Sequence, residues 1–123
     1  MRKLLIVDDE EGVRSLVRMT LESDNYEILE AKRADEALSM VREHLPDLVL
    51  LDVMLPDYSG VEVCRALKAD PRTSSVPIVM LTAKAQSTDL EEAEDAGADG
   101  YFTKPFSPVA LLRRVDKIFR TGE

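Results

Sequence analysis

The chain has 123 residues, 45% hydrophobic and 33% charged, which suits one folded domain with its own core and is too little for two. A formal net charge of −8 argues against nucleic-acid binding through the general surface, which needs a basic footprint. Cys64 is the only cysteine, so no internal disulfide can form, and a reducing, cytoplasmic setting fits best.

Leu4-Leu5-Ile6-Val7 is a short apolar run, read as a first strand, ended by Asp8, Asp9, Glu10 and Glu11. Four apolar residues behind Met1-Arg2-Lys3 are too few for a signal peptide, and no run approaches a membrane span. Helical spacing follows, with Val13, Leu16, Val17, Thr20 and Leu21 on one face. It breaks at Asn25-Tyr26, and Glu27–Ala31 reads as a second strand. Ala34–His44 repeats the helical spacing through Ala37, Leu38 and Val41, with the only histidine, His44, near its end as a structural residue. Leu48–Leu51 is apolar without alternation and closes on Asp52, between Pro46-Asp47 and the punctuation of Pro56 and Gly60. That pattern suits a strand buried on both faces of a parallel sheet. A helix over about Val61–Lys68 carries Cys64 on its apolar side, as a core residue, and Asp70-Pro71 ends it. Pro77–Thr82 is a fourth strand, Asp89–Ala96 an acidic helix closed by Gly97, and Gly100–Thr103 a fifth strand. In the last helix, Pro108–Phe119, the residues Val109, Leu112, Val115, Ile118 and Phe119 are expected inward. That helix ends about where the sequence does, so residues 1–123 read as a single domain with no output domain expected among them.

Strict alternation of short strands and helices means a parallel sheet with helices on both faces. Ligands of such sheets bind beyond the carboxyl ends of the strands. Those ends carry Asp8-Asp9, Asp52, Thr82 and Lys104. Three carboxylates in one cleft repel unless a cation joins them, and hard oxygen donors with room for waters favour Mg²⁺ or Mn²⁺.

Asp8-Asp9, Asp52, Thr82-Ala83 and Lys104-Pro105-Phe106, in that order at strand ends and with Gly97-Ala98-Asp99-Gly100-Tyr101 before the last, resemble the receiver domain of bacterial two-component response regulators. The resemblance covers about residues 3 to 120. It implies a flavodoxin-like, CheY-like fold: a doubly wound five-stranded parallel sheet of order 2-1-3-4-5 with five helices. It implies that Asp52 accepts a phosphoryl group from a phosphohistidine on a sensor histidine kinase or phosphotransfer protein. Asp9 and Asp52 would bind Mg²⁺ directly, Asp8 mainly through water, and the Met54 carbonyl would be a further ligand. Thr82 and Lys104 would each engage a phosphoryl oxygen, and a cis Lys104-Pro105 bond is expected. Phosphorylation adds a charge of roughly −1.5 to −2. Thr82 would move toward it and Tyr101 would turn into the vacated space. The face made by the fourth helix, fifth strand and fifth helix would then change shape for a downstream protein or effector domain. Asp99, Arg113, Arg114 and Glu92 could support a dimer on that face, although regulators dimerising there typically have an Asp where Gly100 stands. Met54 and Lys84 would flank the path of attacking water, and neither offers a carboxylate or amide to orient it, so self-dephosphorylation should be slow.

Other chemistries fit less well. A haloacid-dehalogenase-type phosphatase needs a second Asp where Met54 stands. A P-loop needs GxxxxGK[ST], which is absent. A flavodoxin's phosphate loop would be hydroxyl-rich, and here it is Asp8-Asp9-Glu10-Glu11. The intact acidic set argues against a receiver serving only as a scaffold, and phosphorylation with acetyl phosphate and Mg²⁺ separates these readings.

Overall fold

Apolar runs without alternation need cover on both faces, and the sheet provides it. The computed structural model describes residues 2–22, 26–83 and 87–121. Its strands are β1 (Arg2–Val7), β2 (Tyr26–Ala31), β3 (Leu48–Asp52), β4 (Ile78–Thr82) and β5 (Gly100–Thr103). All pair in parallel, in the order β2-β1-β3-β4-β5. Every residue of β3 and β4 is buried, whereas β2 and β5 at the edges are only partly so. Helices α1 (Glu11–Leu21) and α5 (Pro108–Thr121) cover one face, packing on Leu4, Ile6, Leu48, Leu50, Val79 and Leu81. Helices α2 (Ala34–His44), α3 (Gly60–Ala69) and α4 (Ser87–Asp95) lie over the other, against Leu5, Val7, Val49, Leu51 and Met80. Among the described residues, no helix is long and apolar enough to cross a membrane. Cys64 is a fully buried core residue, and burial pushes its thiol up to about 11.

Register positions the site. Val7 pairs with Leu51, so Asp8 and Asp52 leave adjacent strands at the same level. Asp52 pairs with Leu81, which sets Thr82 one step beyond, and Thr82 pairs with Thr103, which precedes Lys104.

Two expected helix faces need correction. In α5, Val109 and Leu112 are 59% and 36% exposed, and the inward residues are Leu111, Val115 and Ile118, with Phe119 half-buried beside Tyr26. At about 100° per residue, Leu112 falls a quarter-turn off the 111-115-118 stripe and Val109 lies on the far side. In α1, Val17 and Leu21 are buried, but the third buried position is Arg14. Helix α4 also begins two residues before the expected Asp89. Its close is as expected: Gly97 has φ +91, and N–H groups of Gly97 and Ala98 bond back to Glu94 and Ala93 at 3.0 Å each, a Schellman arrangement.

Helix α2 ends without a glycine. Leu45 takes the left-handed conformation at φ 46, its N–H reaching the Val41 carbonyl at 2.9 Å, with 53% of its surface exposed. An L-residue there carries a steric cost of about 1–2 kcal/mol. Leu45→Gly relieves it against the larger unfolded-state entropy of glycine. We expect a net gain of roughly 0.5 kcal/mol, read as a rise of about 2 °C in melting temperature. A fall would show that the left-handed turn is not strained.

Candidate functional site

The carboxyl edge gathers the acids that the sequence places at strand ends. Asp8, Asp9 and Asp52 each present an oxygen atom within 4.8 Å of the others. Asp8 is completely buried and Asp52 is 6% exposed, while Asp9 is open to solvent. Lys104 reaches into the group from the β5–α5 loop, its Nζ 2.6 Å from Asp8 Oδ2, 3.4 Å from Asp52 Oδ2 and 3.6 Å from Glu10 Oε1. The peptide bond after it, Lys104-Pro105, is cis. Asp8 Oδ1 accepts the Glu10 N–H at 2.9 Å, and Asp52 Oδ1 accepts the Met54 N–H at 3.2 Å. Asp8 Oδ2 is engaged by the Lys104 ammonium group alone, which leaves one of its lone pairs open. The buried cleft therefore retains acceptor capacity.

Charge balance follows from this crowding. Burial, reinforced by the neighbouring Asp8 charge, pushes the Asp52 carboxyl up to about 6, against the opposing pull of Lys104 and the Met54 N–H. Burial alone would lower Lys104, but Asp8 and Asp52 outweigh it and raise the ammonium group above its ordinary range. Asp52 is thus ionised at neutral pH, at some cost to the metal-free fold. Its folded value exceeds its unfolded one, so its contribution is fully present below the usual carboxylate range. It is lost as pH rises through about 6. The expected result in EDTA is a wild-type stability that declines from pH 4 to 7 relative to Asp52→Asn. The gap should be on the order of 1–2 kcal/mol after solvent screening at the cleft mouth. Thermal denaturation of both proteins across that range checks it, and parallel curves would refute it.

The loop after β3 is strapped down at several points. Gly60 approaches the main chain so closely that a Cβ there would lie 1.9 Å from the Asp52 carbonyl oxygen, and its N–H bonds to the Val53 carbonyl at 2.7 Å. Ser59 caps α3 through Val61 N–H and pairs across the loop with Met54. Asp57 reaches away to α2, accepting N–H bonds from Ala34 and Asp35 at 2.8 and 3.2 Å, where the N-cap residue Arg33 supplies no cap of its own. Those bonds hold its carboxyl below the usual range, although burial opposes them. Asp57 and Arg14 are the site-supporting residues that sequence reasoning missed. For Arg14 a signal existed, since a charged residue occupies the stripe shared with Val17 and Leu21. For Asp57 none did, because its partners lie 23 and 22 residues away.

The remaining expected residues fall as follows. Thr82 is buried at the end of β4, and its carbonyl accepts the Lys104 N–H at 2.8 Å. Met54 has its N–H on Asp52 and its side chain 77% exposed. Tyr101, on edge strand β5, is 41% exposed. Lys84 lies outside the described residues. Asp99 is engaged within the chain, accepting from Lys68 Nζ and from the Ile78 N–H at 2.8 Å each. Beside Lys104 a groove of about 420 Å³ opens between the start of α1 and the β5–α5 loop, walled by Val13, Leu16, Pro105 and Phe106.

Comparison with known proteins agrees with this geometry. A family model described as the response regulator receiver domain matches residues 4–116. The phosphate regulon transcriptional regulatory protein PhoB of Pseudomonas aeruginosa is 44% identical over 119 residues, 97% of this chain and 52% of PhoB. The chain spans about half the length of the curated relatives it matches. Among solved structures, the chemotaxis response regulator CheY4 of Vibrio cholerae superposes with a TM-score of 0.90 at 32% identity, covering 96% of this chain and 98% of CheY4. The receiver domain of a sensor histidine kinase from Pseudomonas aeruginosa gives 0.86 at 28% identity, covering 94% and 95%. That structure holds a magnesium ion coordinated in its active site cleft.

Proposed function

The chain belongs to the response regulator receiver domain family, whose members accept phosphoryl groups in two-component signalling, and from that premise we propose that Asp52 is its phosphoacceptor. The observation that carries this is the convergence of Asp52, the Asp8-Asp9 pair and Lys104 on one sheet edge. The donor is a phosphohistidine on a sensor histidine kinase or phosphotransfer protein. The Asp52 carboxylate attacks its phosphorus, the P–N bond breaks, and the electron pair returns to the imidazole.

The donor set fits a hard divalent cation, because the three clustered carboxylates of Asp8, Asp9 and Asp52 offer oxygen ligands only and a single ammonium group leaves their charge in excess. Asp9, Asp52 and the Met54 carbonyl would hold Mg²⁺ or Mn²⁺, with Asp8 acting through water. When bound, the cation offsets charge on the transferring group. Lys104, still protonated, exchanges part of its ion pairing with Asp8 and Asp52 for one phosphoryl oxygen, and the Thr82 hydroxyl donates to another. Tyr101 turns inward as Thr82 moves, and the α4-β5-α5 face changes shape for a downstream protein, an effector domain or a second receiver. The domain catalyses its own phosphorylation and slow dephosphorylation, and works in the cytoplasm.

Incubation with acetyl phosphate and Mg²⁺, followed by mass measurement, tests the reading. We expect one added phosphoryl group, released by hydroxylamine as an acyl phosphate is. A folded protein that gains no mass would overturn it and leave a scaffold role.

A further inference from the structure

We propose that Arg14 is a positioning residue for the cation site, clamping the main chain that carries Asp8 and Asp9. The inference rests on the reading that these carboxylates hold a divalent cation. Arg14 is 7% exposed on the buried stripe of α1. Its Nη1 donates to the Asp8 carbonyl at 2.9 Å, and its Nε donates to Glu30 Oε1 on β2 at 3.0 Å. The Asp8 carbonyl belongs to the peptide group joining Asp8 to Asp9. Because that group is planar, fixing its oxygen fixes the direction in which Asp9 departs. The other side of Asp8 is held as well, its N–H bonding to the Ala31 carbonyl at 3.1 Å. A guanidinium suits the task, since its rigid fork can hold a carbonyl and a carboxylate together, which a lysine ammonium cannot do with the same geometry.

Two rival roles give different signs. A guanidinium acting only through its charge would repel an incoming cation, so removing it would tighten Mg²⁺ binding. A guanidinium serving only to tie α1 to β2 would behave like Arg18, which holds the other oxygen of Glu30 at 2.6 and 2.9 Å. Positioning predicts looser binding on loss of Arg14 alone.

The test is calorimetric titration of the unphosphorylated chain with Mg²⁺, each variant first shown by circular dichroism to be folded. Arg14→Met should bind Mg²⁺ about tenfold more weakly, the lower end of the range for residues that orient metal ligands. Arg14→Lys, which keeps the charge without the fork, should be weakened several-fold, and Arg18→Met should stay within twofold of wild type. Phosphorylation of Arg14→Met by acetyl phosphate should slow at low Mg²⁺ and recover at saturating Mg²⁺, showing that affinity rather than chemistry is impaired. Arg14→Met binding as tightly as wild type or tighter would overturn the proposal, as would an equal loss in Arg18→Met. If Arg14→Met does not fold, an unchanged affinity in Arg14→Lys overturns it equally. If wild type binds no Mg²⁺, or Asp9→Ala binds as well as wild type, the cation reading fails and this inference with it. With both controls as expected, the Arg14 variants decide the inference alone.

Discussion

Asp52→Asn should abolish phosphorylation and yield a folded protein more stable than wild type when metal is absent. An amide has no anionic oxygen to attack phosphorus, and no other carboxylate in the cleft takes the place of Asp52. Asp8 is buried beneath Lys104 at 2.6 Å, and Asp9 stands on the solvent side. Asparagine has nearly the same shape, and its oxygen can keep the bond from the Met54 N–H. What disappears is a charge that burial and Asp8 disfavour, as the rise of Asp52 to about 6 records. Lys104 retains its closer partner, Asp8. The gain at neutral pH is on the order of 1–2 kcal/mol, a rise of a few degrees in melting temperature. Mass measurement after acetyl phosphate treatment and denaturation in EDTA check the two halves. Labelling at the wild-type rate would remove Asp52 from the acceptor role, and a lower melting temperature would show that the Lys104 pair outweighs the repulsion.

Mg²⁺ should stabilise the wild-type protein strongly and Asp9→Ala hardly at all. The folded chain assembles three carboxylates within 4.8 Å, and the unfolded chain does not, so binding is linked to folding. At a concentration of 100 times the dissociation constant the linkage is worth about 2.7 kcal/mol, or roughly 10 °C in a domain of this size. Asp9 is exposed, so its removal creates no cavity and reduces like-charge repulsion; the metal-free variant should melt no lower than wild type. Thermal denaturation across a Mg²⁺ series measures both. An equal rise in the two proteins would mean that the acidic cluster is not the cation site.

Most of the site was legible because its residues stand at ends of apolar runs. Leu4–Val7, Leu48–Leu51 and Ile78–Leu81 lack alternation, which only a doubly covered parallel sheet explains, and parallel strands deliver all their carboxyl ends to one edge. Asp8, Asp9, Asp52 and Lys104 accordingly meet where the one-dimensional pattern places them, with Thr82 at the neighbouring strand end. Backbone periodicity and chain direction carry that information, and both are local.

The rest depended on which surfaces come to face each other. Periodicity shows that α5 has an apolar stripe, but its phase is set by how the helix seats on the sheet, and that choice buries Leu111 while leaving Val109 and Leu112 outside. Asp57 caps a helix that begins 23 residues before it, and Asp99 is taken by Lys68 from across 31 residues. Arg14 shares the buried stripe of α1, but its partners, Glu30 of β2 and the Asp8 carbonyl, come from other segments of the chain. A buried charge is tolerable only where partners satisfy it. Apolar runs and chain direction were enough to give the sheet, its parallel sense and the chemistry gathered at its edge. Tertiary packing alone decided how that edge is held, because hydrogen bonds and ion pairs between distant segments exist only once the fold has brought their partners together.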